Sequence, residues 1–86
     1  MSMEQLRPEV AWFALQMEMA LRRNDHKGGW ENETVHALAC RVLEETAELF
    51  EAIAAWNEEW TLHEAVDIAN FAMMIADNIS NRSEVE

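Results

Sequence analysis

Glycine occurs only twice and proline once in 86 residues. So few turn-forming residues exclude a many-stranded β fold, in which each chain reversal consumes them. The single cysteine, Cys40, excludes an internal disulfide. Basic residues are scarce: six Lys and Arg stand against seventeen Asp and Glu, a formal charge of -11. That charge repels a phosphate backbone and an anionic lipid surface, so neither a nucleic-acid polymer nor a membrane is an expected partner unless a cation intervenes. Long apolar runs are missing too: none is longer than that from Phe71 to Ala76, which falls far short of the roughly 20 residues that cross a bilayer. Met1-Ser2-Met3-Glu4 opens no charged-then-apolar leader, which with the lone thiol gives a cytoplasmic expectation. What the chain does have is apolar bulk, half of it hydrophobic with four Trp and six Met. It is too apolar to stay disordered and long enough for one small domain, 1–86, expected to be all-α.

Apolar periodicity divides the chain into three helices. Val10, Phe13, Met17, Ala20 and Leu21 recur at three- and four-residue steps behind Pro8, a residue suited to a first helical position, so a helix is expected over about 8–23. Asn24 to Glu31, with adjacent Gly28 and Gly29, reads as a loop. Val35, Ala39, Val42, Thr46, Leu49 and Ile53 share one side at 100° per residue, giving a second helix over about 32–56. Thr61-Leu62-His63-Glu64 has the form of a capping box opening a third helix over about 61–79, and the polar tail 80–86 is expected to fray.

Helix two carries Glu45 and Glu48, and helix three carries Glu64 and Asp67, each pair three residues apart and so projecting from one side of its helix. On the wheel Glu45 falls at the margin of the apolar face, roughly 80° from its centre, and Glu64 and Asp67 lie near the line of Phe71 and Ile75. Acid pairs on facing helices repel one another and are costly to desolvate unless a hard divalent cation such as Mg²⁺ takes their oxygens as ligands. The competing reading makes the acids a solvated face of a non-catalytic helical interaction module, with Glu64 merely closing its capping box.

Glu45-x-x-Glu48 followed by Glu64-x-x-Asp67 resembles the EXXE…EXXD signature of the MazG-like, all-α nucleoside triphosphate pyrophosphohydrolases, a group including dCTP pyrophosphatases and dimeric dUTPases. The similarity extends to Leu43-Glu44-Glu45-Thr46-Ala47-Glu48-Leu49, to Asp67-Ile68-Ala69-Asn70-Phe71-Ala72 and to His26-Lys27-Gly28-Gly29-Trp30, and spans about residues 10–79. The resemblance implies that Glu45, Glu48, Glu64 and Asp67 bind Mg²⁺, with Mn²⁺ as a substitute, and that the reaction converts an NTP or dNTP to its monophosphate and pyrophosphate. The chemistry agrees: a triphosphate approaching so acidic a chain needs metal between carboxylate and phosphate oxygens, and Glu45 or Glu48 is placed to orient or deprotonate a water. No Gly-x-x-x-x-Gly-Lys-Ser/Thr loop is present, which excludes the P-loop solution.

Four further residues are candidate substrate contacts. Lys27, in its glycine-rich loop, can reach a phosphate or be an ordinary surface lysine. Trp30 can stack on a base or staple helix two onto helix one. Phe71, with Trp56, can wall a base pocket or belong to the core. Asn78, three turns beyond Asp67, can bond a phosphate or base or end its helix. Glu33-x-x-His36 has the spacing of half a di-iron motif, but the second half is missing, so a carboxylate-bridged iron protein is disfavoured. His36 and His63 read as surface or capping groups, and Cys40 as a buried structural thiol.

Helix three is apolar on almost every side from Ala65 to Ala76, which calls for burial all round. Three helices do not provide that cover. The expected architecture is therefore a three-helix protomer that completes a four-helix or larger bundle as a homodimer or higher homo-oligomer, with Ala65, Ala69, Ala72 and Ala76 allowing close helix approach.

Overall fold

A computed structural model describes residues 1–85, and the side chains of residues 1–81. Three helices form, α1 (Pro8–Arg23), α2 (Val35–Ala54) and α3 (Glu58–Val85), with short 3-10 turns at Met3–Gln5 and Asp25–Lys27 and no strand among the described residues. No helix is long and apolar enough to cross a membrane.

Local chemistry sets each boundary. α1 opens on Pro8, carries Glu9 in its first turn and ends on Arg22 and Arg23, an order that matches the helix dipole. α2 starts later than periodicity implies because Thr34 is its N-cap, its hydroxyl accepting from the Ala37 amide at 3.0 Å. The same helix stops at Ala54 rather than Trp56. Trp56 takes a left-handed conformation (φ 55), and the Trp56 and Asn57 amides donate to the Ile53 and Ala52 carbonyls, the Schellman closure that glycine usually serves. Asn57, not Thr61, caps α3: its side-chain oxygen accepts from the Trp60 amide at 2.9 Å, while the Thr61 hydroxyl donates back to the Asn57 carbonyl from inside the helix. The expected capping box is thus overturned, and Glu64 is released from any capping duty. Nor does the helix stop near Ile79. It continues to Val85, since extending a formed helix is far cheaper than starting one; Glu86 lies outside the described residues.

The three-residue link from Ala55 to Asn57 folds α3 back antiparallel along α2, and α1 also packs against α3. α3 is the central element. The side of α2 that faces it is Leu38, Val42, Glu45, Leu49 and Ala52, of which Leu38, Glu45 and Ala52 are buried. The expected apolar line through Ala39 and Ile53 is displaced, for both are exposed. α2 has apolar residues on two sides, with Leu43, Phe50 and Ile53 turned outward, and averaging over both sides shifts the apparent centre. Cys40 is likewise exposed rather than buried. It stands about 200° round the helix from Leu38 at 100° per residue, with its sulfur 3.8 Å from His36 Nε2.

Cover is incomplete. The accessible surface is 6699 Å², against about 5,200 Å² for a compact monomer of this mass. The Cα radius of gyration is 14.3 Å, against about 12 Å for a compact domain of this length. On α3, Leu62, Ala72 and Ala76 are exposed.

The cap assignment gives a direct test. Asn57→Ala is expected to lower stability by about 1 kcal/mol, as is Thr34→Ala, whereas Thr61→Ala leaves the cap intact. Urea midpoints at constant m-value decide between Asn57 and Thr61 as the start of α3.

Candidate functional site

Glu45 faces α3 from the middle of the inward stripe of α2, and Glu64 faces it in return from the second turn of α3. Their residues are only 7% and 4% exposed. Glu45, Glu48 and Glu64 each bring one carboxylate oxygen within 4.8 Å of the others, and His63, Glu64 and Asp67 form a second group of the same size sharing Glu64. The four acids singled out in the sequence therefore meet across the α2–α3 contact. Glu64 Oε1 accepts from the Trp60 indole N–H at 3.2 Å. Glu64 Oε2 is covered and has no hydrogen-bond partner, a costly state for a carboxylate oxygen.

Arg41 supplies one positive charge at the edge. Its guanidinium reaches Glu45 Oε1 at 3.3 Å and Glu44 Oε2 at 3.0 Å and lies 5.1 Å above the Phe71 ring. This does not balance the site. Burial, then the hydrogen-bond contact with Glu64 and the charges of Glu64 and Asp67, push the Glu45 carboxyl above its ordinary pKa, only partly offset by its contact with Glu48. Glu48, at the solvent edge, is also raised, first by its hydrogen bond to Glu45 and then by the Glu45 charge. Both shifts run in the direction expected where carboxyls outnumber the cations beside them. The donor set, hard carboxylate oxygens with one buried and unpartnered, fits a divalent cation such as Mg²⁺, whose bonds of about 2.0–2.1 Å require only small side-chain movements to gather these oxygens.

A cleft of about 540 Å³ opens beside the acids, within the size range of small-ligand sites. Its walls include Lys27, Gly28, Gly29 and Trp30 from the loop, Arg41 and Glu45 from α2, and His63, Asp67, Asn70 and Phe71 from α3. Gly28 ends the 3-10 turn at φ +89, a conformation side chains rarely adopt, although nothing crowds the position. Two contacts moor the loop to α3. The Trp30 indole donates to Asp77 Oδ2 at 3.0 Å, and the Asn78 amide donates to the Trp30 and Glu33 carbonyls at 3.0 and 3.2 Å.

Of the expected substrate contacts, Lys27, Trp30 and Phe71 share this cleft with Glu45 and Asp67. Asn78 does not. It is buried, with its amide spent on the loop carbonyls, so its place in the site is corrected to an anchor. Trp56 is 92% exposed at the α2–α3 corner and walls no base pocket. Three residues of the site had escaped the sequence reading. Arg41 was discoverable as the i−4 partner of Glu45, and Asn70 as an amide inside the apolar run of α3. Trp60 carries no signal, because its role depends on where Asn57 starts the helix. Asn70 is buried; its amide nitrogen donates to the Met17 carbonyl at 3.2 Å, which fixes its orientation and leaves its covered oxygen without a partner.

No protein-family model, curated protein or solved structure matches the chain.

The raised carboxyls predict a pH dependence of definite sign. The folded metal-free chain binds protons at Glu45 and Glu48 more tightly than the unfolded chain, so this contribution to stability is present below the ordinary glutamate pKa and is lost as pH rises through the raised values. Denaturation midpoints measured in EDTA should fall over that window, and Glu45→Gln should flatten the fall. Equal slopes in both proteins would show that Glu45 is not strained by its neighbours.

Proposed function

We propose that the protein is a divalent-cation-dependent nucleotide pyrophosphohydrolase, converting an NTP or dNTP to its monophosphate and pyrophosphate. One observation carries the reading: four acids from two helices gather about Glu64, which is buried with one oxygen unpartnered, beside a cleft lined by Glu45 and Asp67 together with Lys27, Arg41, Trp30 and Phe71. A solvated acidic face would have left Glu45 and Glu64 in water, and both are buried.

When bound, Mg²⁺ or Mn²⁺ would supply charge neutralisation at the phosphates and polarise the α-phosphoryl group. Glu45, Glu48, Glu64 and Asp67 are the residues to hold it. Glu48, the exposed member with a raised pKa, is the better placed of the two helix-two acids to accept a proton from a water, while Glu45 is committed to Glu64 and Arg41. Lys27 and Arg41 meet the phosphate charge. Trp30 and Phe71 offer apolar faces to a base.

We infer further that the active form is a homo-oligomer. The surface excess of the single chain, about 1,500 Å² over a compact monomer, exceeds the roughly 800 Å² that one partner contributes to a standard interface. Outward-facing Leu43 and Phe50 on α2, and Trp12 and Leu15 on α1, are more than half or about half exposed and supply apolar surface for a second copy.

Product analysis tests the reaction. Nucleotide should yield monophosphate and pyrophosphate with Mg²⁺ and nothing with EDTA; Glu48→Gln should lower turnover by about 10²–10⁴-fold with helicity intact. Release of diphosphate and orthophosphate would replace this reaction with another. Light scattering tests assembly separately: a mass of at least twice 9.9 kDa is expected at micromolar concentration, and a single-chain mass would mean that the exposed apolar residues have another use.

A further inference from the structure

We propose that His63 is a metal ligand, forming with Glu64 and Asp67 a mixed nitrogen–oxygen position that takes a borderline cation such as Zn²⁺ or Co²⁺ in preference to Mg²⁺. The inference rests on the reading of the acids as a cation site and adds to it a donor of a different chemical kind.

His63 directly precedes Glu64 and stands one turn before Asp67, so α3 alone brings the three side chains to one side. His63 Nε2 lies 3.2 Å from Asp67 Oδ2. Two neighbouring ligands on one ion, with bonds of about 2.0–2.2 Å, stand about 3 Å apart, so the pair already has the separation of adjacent ligands. A simple imidazole–carboxylate pair would account for that distance but not for Glu64. Its carboxylate is held within 4.8 Å of both partners, in a residue 4% exposed with one oxygen unpartnered. A proton shared between His63 and Asp67 leaves that oxygen unsatisfied, whereas a cation satisfies all three groups. The set of Glu45, Glu48 and Glu64 is all oxygen and suits Mg²⁺. Adding an imidazole changes the preference, because nitrogen donors favour zinc and its transition-metal neighbours. Access is open: the His63 side chain is 56% exposed and borders both the main cleft and a smaller hollow formed with Asn57, Glu59 and Trp60.

The experiment reads imidazoles individually, because His36 and Cys40 on the outer side of α2 form another pair able to attract Zn²⁺. Metal-free, ¹⁵N-labelled full-length protein receives Zn²⁺ or Mg²⁺, and the side-chain ¹H–¹⁵N correlations of its three histidines are followed. The His63 Nε2 resonance, assigned with His63→Gln, should move strongly with Zn²⁺ and only slightly with Mg²⁺, which reaches it through Asp67 alone. In calorimetric titrations His63→Gln should weaken Zn²⁺ binding roughly tenfold or more and change Mg²⁺ affinity less than about twofold. An unmoved His63 resonance while Zn²⁺ binds, or equal Zn²⁺ affinity in the variant, overturns the assignment of His63 and leaves the Mg²⁺ reading standing. Failure of the wild-type chain to bind either metal overturns both.

Discussion

Glu45 and Glu64 face each other inside the α2–α3 contact, and the arrangement of the rest of the chain follows from that opposition. Two carboxylates in a helix interface repel and are poorly solvated, so unaided they would force the helices apart. Arg41 offsets one of them at 3.3 Å and the Trp60 indole offsets one oxygen of the other, while the repulsion that is left raises the Glu45 pKa. One Glu64 oxygen still has nothing. A protein selected only for stability would fill this contact with leucine; keeping paired acids there, in so small a core, is consistent with stability exchanged for a charge that something positive must meet.

The smallness of that core makes the exchange conspicuous. Among the described residues Ala20, Leu38, Ala52 and Val66 are the buried hydrophobic ones, and Glu45, Glu64, Asn70 and Asn78 are buried as well. The polar members are not equivalent. Asn78 commits its amide nitrogen, tying the Trp30 and Glu33 carbonyls of the loop to the far end of α3. Asn70 is half used, holding the Met17 carbonyl of α1 while its oxygen stays unpaired at the cleft. α1, α2 and the loop are thus each referenced to α3 by a polar contact. Apolar packing supplies proximity, and the polar contacts supply register.

How much of this was legible in the sequence depended on range. The three helices followed from periodicity, and the meeting of the four acids was foreshadowed by two i,i+3 pairs on facing helices. Helix starts were less legible because capping is decided by competition between neighbouring residues: Asn57 and Thr61 both suit an N-cap, and the Schellman closure at Trp56 favours the earlier one. The orientation of α2 was obscured because Leu43, Phe50 and Ile53 give it a second apolar side, and a wheel does not distinguish a side facing α3 from one facing outward. That error moved Cys40 inward and Glu45 to the margin. Long-range use of a side chain, as in Asn78 with Trp30, leaves no local pattern at all.

The same second apolar side connects the site to assembly. α2 is held between two demands: its inward stripe must present Glu45 to Glu64, and its outward residues Leu43 and Phe50 remain uncovered by the chain itself. Rotating α2 by half a turn would bury those large residues and expose the acid, dissolving the cleft wall formed by Arg41 and Glu45. The same rotation would expose Leu38, Val42, Leu49 and Ala52 of the inward stripe, so hydrophobic burial, at about 25 cal/mol per Å² of apolar surface removed from water, pulls α2 both ways. Under the proposed function two agents would oppose the rotation: a cation between Glu45 and Glu64, which would reward the inward position of the acid, and a second copy covering Leu43 and Phe50, which would remove the gain from turning. Each would act on the same rotation of the same helix. On the proposed reading, metal binding and oligomerisation would be coupled in sign, each strengthening the other, because both would lower the free energy of the one orientation of α2 that builds the site.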